Sequence, residues 1–170
     1  MARTAAEWPE FRPAELLRAL VAHGVDFVVI GGLALVFHGS TRVTQDLDIC
    51  FSTDPGTLDV LAIALAEMDA RLFGVEEDLP FVPDARTLRK TETLTLATRL
   101  GKLDLLACPS GAPPYAELRA RAEVVTVTDF AFRVATPEHL IAMKRAAGRA
   151  KDLADVEELE AIVDLRRSGR

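Results

Sequence analysis

Three acidic residues carry the chemistry that this sequence can do. Asp46 and Asp48 sit one residue apart in Asp46-Leu-Asp-Ile-Cys-Phe51. On an extended strand, residues i and i+2 face the same side. The two carboxylates therefore present together, while Leu47 and Ile49 turn into a core. Carboxylates this close repel unless a positive charge sits between them. Magnesium meets that need, because it takes oxygen ligands and binds one or two carboxylates together with substrate phosphates. A pair of Mg²⁺ ions, or Mn²⁺ in their place, can polarise a phosphoryl group and activate an attacking hydroxyl. Gly31-Gly32 lies thirteen residues ahead of Asp46 and directly follows the apolar run Asp26-Phe-Val-Val-Ile30. That run reads as a buried strand. The glycines allow a tight turn and a close approach of a ligand to the backbone. Leu33 to Phe37 then suit a short helix ended by Gly39, whose first amides and dipole favour an anion. The third acid is Asp104, in Gly101-Lys-Leu-Asp-Leu-Leu-Ala107. Leu103 and Leu105 share one strand face there, and Asp104 takes the other, where it can meet the Asp46 and Asp48 pair. This is the set of parts that a metal-bound nucleoside triphosphate (NTP) requires.

A hydrophobic residue, Gly-Gly, thirteen residues, then Asp-x-Asp flanked by hydrophobics resembles the signature of the DNA polymerase β-like nucleotidyltransferase superfamily. Ile30, Gly31, Gly32, Asp46, Leu47, Asp48 and Ile49 match it, and Asp104 matches the family's third carboxylate in type and order. Within the superfamily the chain is most similar to the bacterial AbiEii-like and MenT-like branch. Met143-Lys-Arg-Ala-Ala-Gly-Arg-Ala-Lys-Asp-Leu-Ala-Asp-Val156 resembles the Lys…Lys-Asp-x-x-Asp helix pair of that branch. The resemblance spans Asp26 to about Val163. It implies transfer of a nucleoside monophosphate from an NTP to an acceptor hydroxyl. The acceptor could be a tRNA 3′ end, with the protein acting as a toxin alongside an antitoxin; a protein side chain and a small molecule such as an antibiotic stay open. It implies Asp46, Asp48 and Asp104 as metal ligands, Gly31 and Gly32 amides on phosphate, and Lys144 as a cation for the triphosphate. Many catalytic members have Gly-Ser where this chain has Gly31-Gly32. Ser40 and Thr41 are nearby hydroxyls that can substitute, and Arg42, between the glycines and the carboxylates, can reach phosphate. Two other classes remain. Asp-x-Asp also serves glycosyltransferases, although the chain length and the upstream Gly-Gly count against them. A non-catalytic nucleotide-binding or regulatory protein on the same fold is the other.

The positioning elements follow from the pattern of the chain. Its 170 residues are enough for one domain with a sizeable core. The expectation is an α/β (α+β) nucleotidyltransferase fold, a small mixed sheet flanked by helices. A core of about 14–135 and C-terminal helices of about 137–165 make up the single domain. Residues 1 to 12 read as loosely held, with Pro9 and Pro13 as breakers and Trp8 and Phe11 packing back. Ala14 to Ala22 is a helix by its apolar spacing. Asp54-Pro55 opens another, with Leu58, Leu61, Leu65 and Met68 on one face. Arg71 to Phe73 is a short strand or turn, and Glu76, Glu77 and Asp78 form a solvated acidic loop. Ala85 to Lys90 is a helical turn, and residues 92 to 107 form a hairpin that carries Asp104. Tyr115 to Arg121 is a short helix, followed by strands at Val124–Val127 and Phe130–Val134. Thr136-Pro137 starts a helix to Gly148. A last helix, about Asp152 to Leu165, turns Leu153, Val156, Leu159 and Ile162 or Val163 inward, with Asp152 favoured near its N-terminus by the dipole.

Charge and cysteines bound the partners. A net charge of −6 argues against broad, sequence-independent nucleic-acid binding. Arg42, Arg86, Arg89, Lys90, Arg99 and Lys102 either gather on one rim as a local RNA-holding patch or stay scattered in solvent. Cys50 and Cys108 read as buried thiols of a sheet rather than a disulfide framework or a zinc site. Among the histidines, only His38 falls near the site. Every apolar run is too short to span a membrane, and Met-Ala-Arg-Thr-Ala-Ala-Glu-Trp-Pro lacks the apolar centre of a signal peptide. A cytoplasmic location is expected.

Overall fold

A computed structural model describes residues 9–75 and 81–169. The expectations for Trp8 and for Glu76, Glu77 and Asp78 lie outside the described residues. In chain order the elements are α1 (Pro13–Ala22), β1 (Phe27–Ile30), α2 (Gly31–Phe37), β2 (Asp46–Phe51), α3 (Pro55–Glu67), β3 (Arg71–Leu72) and α4 (Ala85–Lys90). The second half adds β4 (Thr93–Thr98), β5 (Gly101–Leu106), α5 (Tyr115–Arg121), β6 (Glu123–Val127), β7 (Phe130–Val134), α6 (Pro137–Ala147) and α7 (Ala150–Arg167).

The strands form one seven-stranded sheet in the order β3-β4-β5-β2-β1-β7-β6, flanked by helices as expected. It is mixed: β2 pairs antiparallel with β1 and parallel with β5, and β1 pairs parallel with β7. Strands β4 and β5 form the expected hairpin. The core lies on the face opposite the acids. Leu47, Ile49, Leu103 and Val29 are completely buried there, as are Leu16 and Leu20 of α1 and Leu58, Leu61 and Leu65 of α3. Each such leucine contributes about 1.5–3 kcal/mol by leaving water. Helix α1 lies against α3, β2 and β7, and α4 packs on α3.

Three local expectations change. Pro13 does not break the chain; it occupies the first turn of α1, where its missing N–H costs nothing. Helix α2 starts at Gly31 itself rather than after the glycine pair. In α7, Leu153 is exposed at 59 %, whereas Asp152 and Asp155 are buried. Polar contacts to α6 and the 40–44 loop outrank apolar periodicity at those positions, as the site explains.

Candidate active site

Parallel register brings the acids together. Asp48 of β2 stands directly opposite Asp104 of β5, and Asp46 stands opposite Lys102. Because the register is one-to-one, the residues two apart on each strand share the sheet face away from the core. Ligand oxygens of Asp46, Asp48 and Asp104 all lie within 4.8 Å of one another. Burial, with the nearby charges of Asp46 and Asp104, pushes the Asp48 carboxyl up to about 7.

Gly31 is what lets β1 and α2 close on this cluster. Its φ is +69°, a left-handed value. A Cβ built there would lie 2.3 Å from Asp48 Oδ2, so no side chain fits between the strand end and the acid. At Gly32 a Cβ would lie 3.1 Å from Thr44 Oγ1 and 3.8 Å from the Arg42 guanidinium carbon. Thr44 in turn donates to the Asp46 backbone carbonyl and Oδ1, both at 3.3 Å.

Cations surround the acids on two sides. Lys102 Nζ lies 3.1 Å from Asp46 Oδ2 and 3.3 Å from Asp104 Oδ2. Partial burial opposes its charge, yet these two carboxylates hold its pKa above the ordinary value. The second group comes from the C-terminal helices and the loop before β2. Lys144 Nζ reaches Asp155 Oδ2 at 2.9 Å and Asp152 Oδ1 at 3.5 Å. Arg42 Nη1 donates to both Asp155 oxygens at 2.6 Å. Arg149 Nε donates to Asp152 Oδ2 at 2.8 Å, and the charge of Asp48 also acts on Arg149. Asp152 accepts the Arg149 amide as a helix cap. Hydrogen bonding from Arg149 holds Asp152 below the usual carboxylate range. Burial opposes ionisation of Asp155, but hydrogen bonds from Lys144 and Arg42 outweigh it.

The structure thus gathers Asp46, Asp48, Asp104, Gly31 and Gly32, and sets Arg42 and Lys144 on one shared acid, Asp155. Ser40 is engaged elsewhere: its hydroxyl donates to Glu158 Oε2 at 3.0 Å and accepts from the Arg42 amide. The suggested basic rim is divided. Lys102 faces the acids, Arg42 faces Asp155, and Arg99 donates to the Glu67 carbonyl. His38 makes structural bonds, with Nε2 2.7 Å from the Ala135 carbonyl and Nδ1 3.0 Å from Arg166 Nη2. Cys50 is buried as expected, and burial raises its thiol to about 12, but Cys108 is exposed. Sequence reasoning missed Lys102 as a partner of the acids. Its place two residues before Asp104 put both on one strand face, but the pairing with Asp46 needed the register of β2 and β5. Asp155 as the shared partner of Arg42 and Lys144 needed the docking of α7, whereas the Thr44–Asp46 contact is local and a hydroxyl two residues before the acid could have suggested it.

The donor set fits a hard divalent cation: three carboxylates, and no sulfur or imidazole among them. Asp104 Oδ1 is buried without a hydrogen-bond partner among the described residues, so an acceptor is available to such an ion.

The family model described as nucleotidyl transferase AbiEii toxin, Type IV TA system, matches residues 15–166. The chain belongs to the AbiEii family. It is therefore a nucleotidyltransferase. Lincomycin-bound lincosamide antibiotic adenylyltransferase LnuA has a similar fold, at 17% identity over 90% of this chain and 99% of that one, with a TM-score of 0.61. ANT(2″)-Ia in complex with adenylyl-2″-tobramycin is similar at 16% identity over 91% and 92% of the two chains, with a TM-score of 0.53. No curated protein matches the sequence. No helix among the described residues is long and apolar enough to cross a membrane.

Proposed function

We propose that this AbiEii-family chain moves a nucleoside monophosphate from an NTP to a tRNA 3′-terminal hydroxyl, as the toxin partner of an antitoxin. The observation that carries the transfer chemistry is the in-register triad of Asp46, Asp48 and Asp104 beside Gly31, and the toxin role extends from the family description. Asp46 and Asp48 would hold a divalent cation, and Asp104 would complete its shell. Two Mg²⁺ ions, with Mn²⁺ as a substitute, neutralise phosphoryl charge when bound. The backbone at Gly31 and Gly32 gives phosphate close access. Arg42 and Lys144 face the rest of its charge, kept in place by Asp155. The acceptor oxygen forms a bond to the α-phosphorus, the bond to the β-phosphate oxygen breaks, and pyrophosphate leaves. Asp104 receives the acceptor proton. The protein contributes position and electrostatics rather than covalent chemistry.

The test incubates the protein with Mg²⁺, each α-³²P-labelled NTP in turn and total bacterial RNA, with Asp46→Ala/Asp48→Ala as control. Label in a tRNA-sized band that requires the carboxylates is expected. Label in protein instead overturns the tRNA acceptor. No transfer to any acceptor, with nucleotide still bound, favours a regulatory role.

A further inference from the structure

We propose that Lys102 is a resident counter-ion for the acidic cluster, and that a divalent cation must displace its ammonium from between Asp46 and Asp104 to bind. The inference rests on the metal-site reading above. The ammonium touches one oxygen of each acid, at 3.1 and 3.3 Å. Those two residues are also two of the three whose oxygens converge within 4.8 Å. A +1 ammonium and a metal ion on the same oxygens compete for one place, because each is attracted by the same charge and repels the other. In this resting position the Lys102 ammonium has a further neighbour beside the acids. Its Nζ lies 5.1 Å from the centroid of the Phe73 ring, and an aromatic face attracts a cation. Its side chain is 30 % exposed on a flexible four-carbon stem, so rotation carries the charge off the acids without moving β5. Lys102 is thus a positioning residue. It holds Asp46 and Asp104 in a metal-ready arrangement and sets a threshold that a weakly bound cation does not pass.

The test uses full-length wild-type, Lys102→Met and Lys102→Arg proteins with Mn²⁺ alone as probe. Calorimetry and Mn²⁺ electron paramagnetic resonance give affinity; scanning fluorimetry gives melting temperature with chelator and with saturating Mn²⁺. Methionine is an unbranched side chain of similar length at a position that is 30 % exposed, so folding is retained. Lys102→Met is expected to bind Mn²⁺ about tenfold more tightly, the equivalent of losing one charged hydrogen-bonded pair. In chelator it melts about 3–5 °C below wild type, corresponding to the same ~1.4 kcal/mol that tenfold tighter binding represents. With saturating Mn²⁺ the two melt together, because the lysine no longer contributes. Lys102→Arg keeps the charge and melts like wild type in chelator. Equal Mn²⁺ affinity in wild type and Lys102→Met overturns the counter-ion role while leaving the metal site intact. A Lys102→Met protein that melts above wild type at saturating Mn²⁺ also overturns it, since the lysine then stays beside the metal. Absence of Mn²⁺ binding in all three proteins overturns the metal reading and this inference together.

Discussion

Asp48 has a carboxyl pushed up to about 7 from an ordinary 3.8, chiefly by burial and then by Asp46 and Asp104. Between those two values the folded protein binds more protons than the unfolded chain, so stability falls as pH rises. Asp152 and Asp155 are shifted the other way. Their contribution is complete above the ordinary carboxylate value and is lost only below it. From about pH 4 to 7 the Asp48 effect therefore acts without opposition from them. In chelator, the melting temperature is expected to fall across that range, and Asp48→Asn is expected to flatten the curve. A melting temperature that rises steadily from pH 4 to 7 in wild type contradicts this assignment. The same Asp48→Asn change, or Asp104→Asn, is expected to lower nucleotide transfer by at least ~10²-fold in a single-turnover assay. At Gly31, alanine places a methyl on Asp48 and demands a left-handed backbone. Gly31→Ala is expected to lose transfer and thermal stability together, whereas Gly32→Ala, with ordinary φ and only Thr44 to move aside, keeps its fold.

At the scale of elements, α7 is an amphipathic helix whose inner face is partly acidic. Asp152 caps its first turn and also meets Lys144 of α6, so removing it leaves Arg149 and its backbone amide without their acid, while Lys144 keeps Asp155. Asp152→Ala is expected to cost about 1–2 kcal/mol in denaturant unfolding, as a lost helix cap and charged hydrogen bond. Leu153→Ser, one residue on and exposed, is expected to stay within about 0.5 kcal/mol of wild type. Leu159→Ala, fully buried, is expected to cost about 2–5 kcal/mol. A large loss at Leu153 and none at Asp152 would restore the apolar-stripe reading of the helix. The loop before α5 is fastened in a different way: a Cβ at Gly111 would lie 2.4 Å from the Ala142 carbonyl of α6, so only glycine lets that loop rest on the helix.

Across the whole molecule, α7 ties distant parts of the chain to one another. Glu158 accepts from Ser40, Asp155 pairs with Arg42, and Arg166 joins His38 and Glu123. These contacts bind the phosphate-side loop and the β6 edge to the last helix. We expect the C-terminal helices and the sheet to unfold as a single cooperative unit. Scanning calorimetry should show one transition with matching calorimetric and van't Hoff enthalpies; two resolved transitions would make the helices a separate unit. Because the net charge is −6, an RNA acceptor has to be held by local cations, and rising salt is expected to raise its KM more than it lowers kcat.

The sequence alone was enough for the strand–glycine–helix–strand unit, for the pairing of Asp46 with Asp48 on one face, and for the hairpin that carries Asp104. All three depend on contacts a few residues apart, where the period of two and the conformational freedom of glycine act directly. It also showed Asp54-Pro55 and Thr136-Pro137 as helix starts, since proline in the first turn and the Thr136 cap are local signals. Only the tertiary structure decided that Asp48 faces Asp104, that Lys102 lies between two acids, and that Asp155 unites Arg42 with Lys144. The long-range members of this set run from Asp46–Lys102, 56 positions apart, to Arg42–Asp155, 113 apart. They follow from strand register and helix docking, which apolar periodicity cannot specify. Leu153 shows the limit most clearly: its spacing fitted the core, but the charge on Lys144, Arg42 and Arg149 required carboxylates on that side of α7, and the helix turned accordingly.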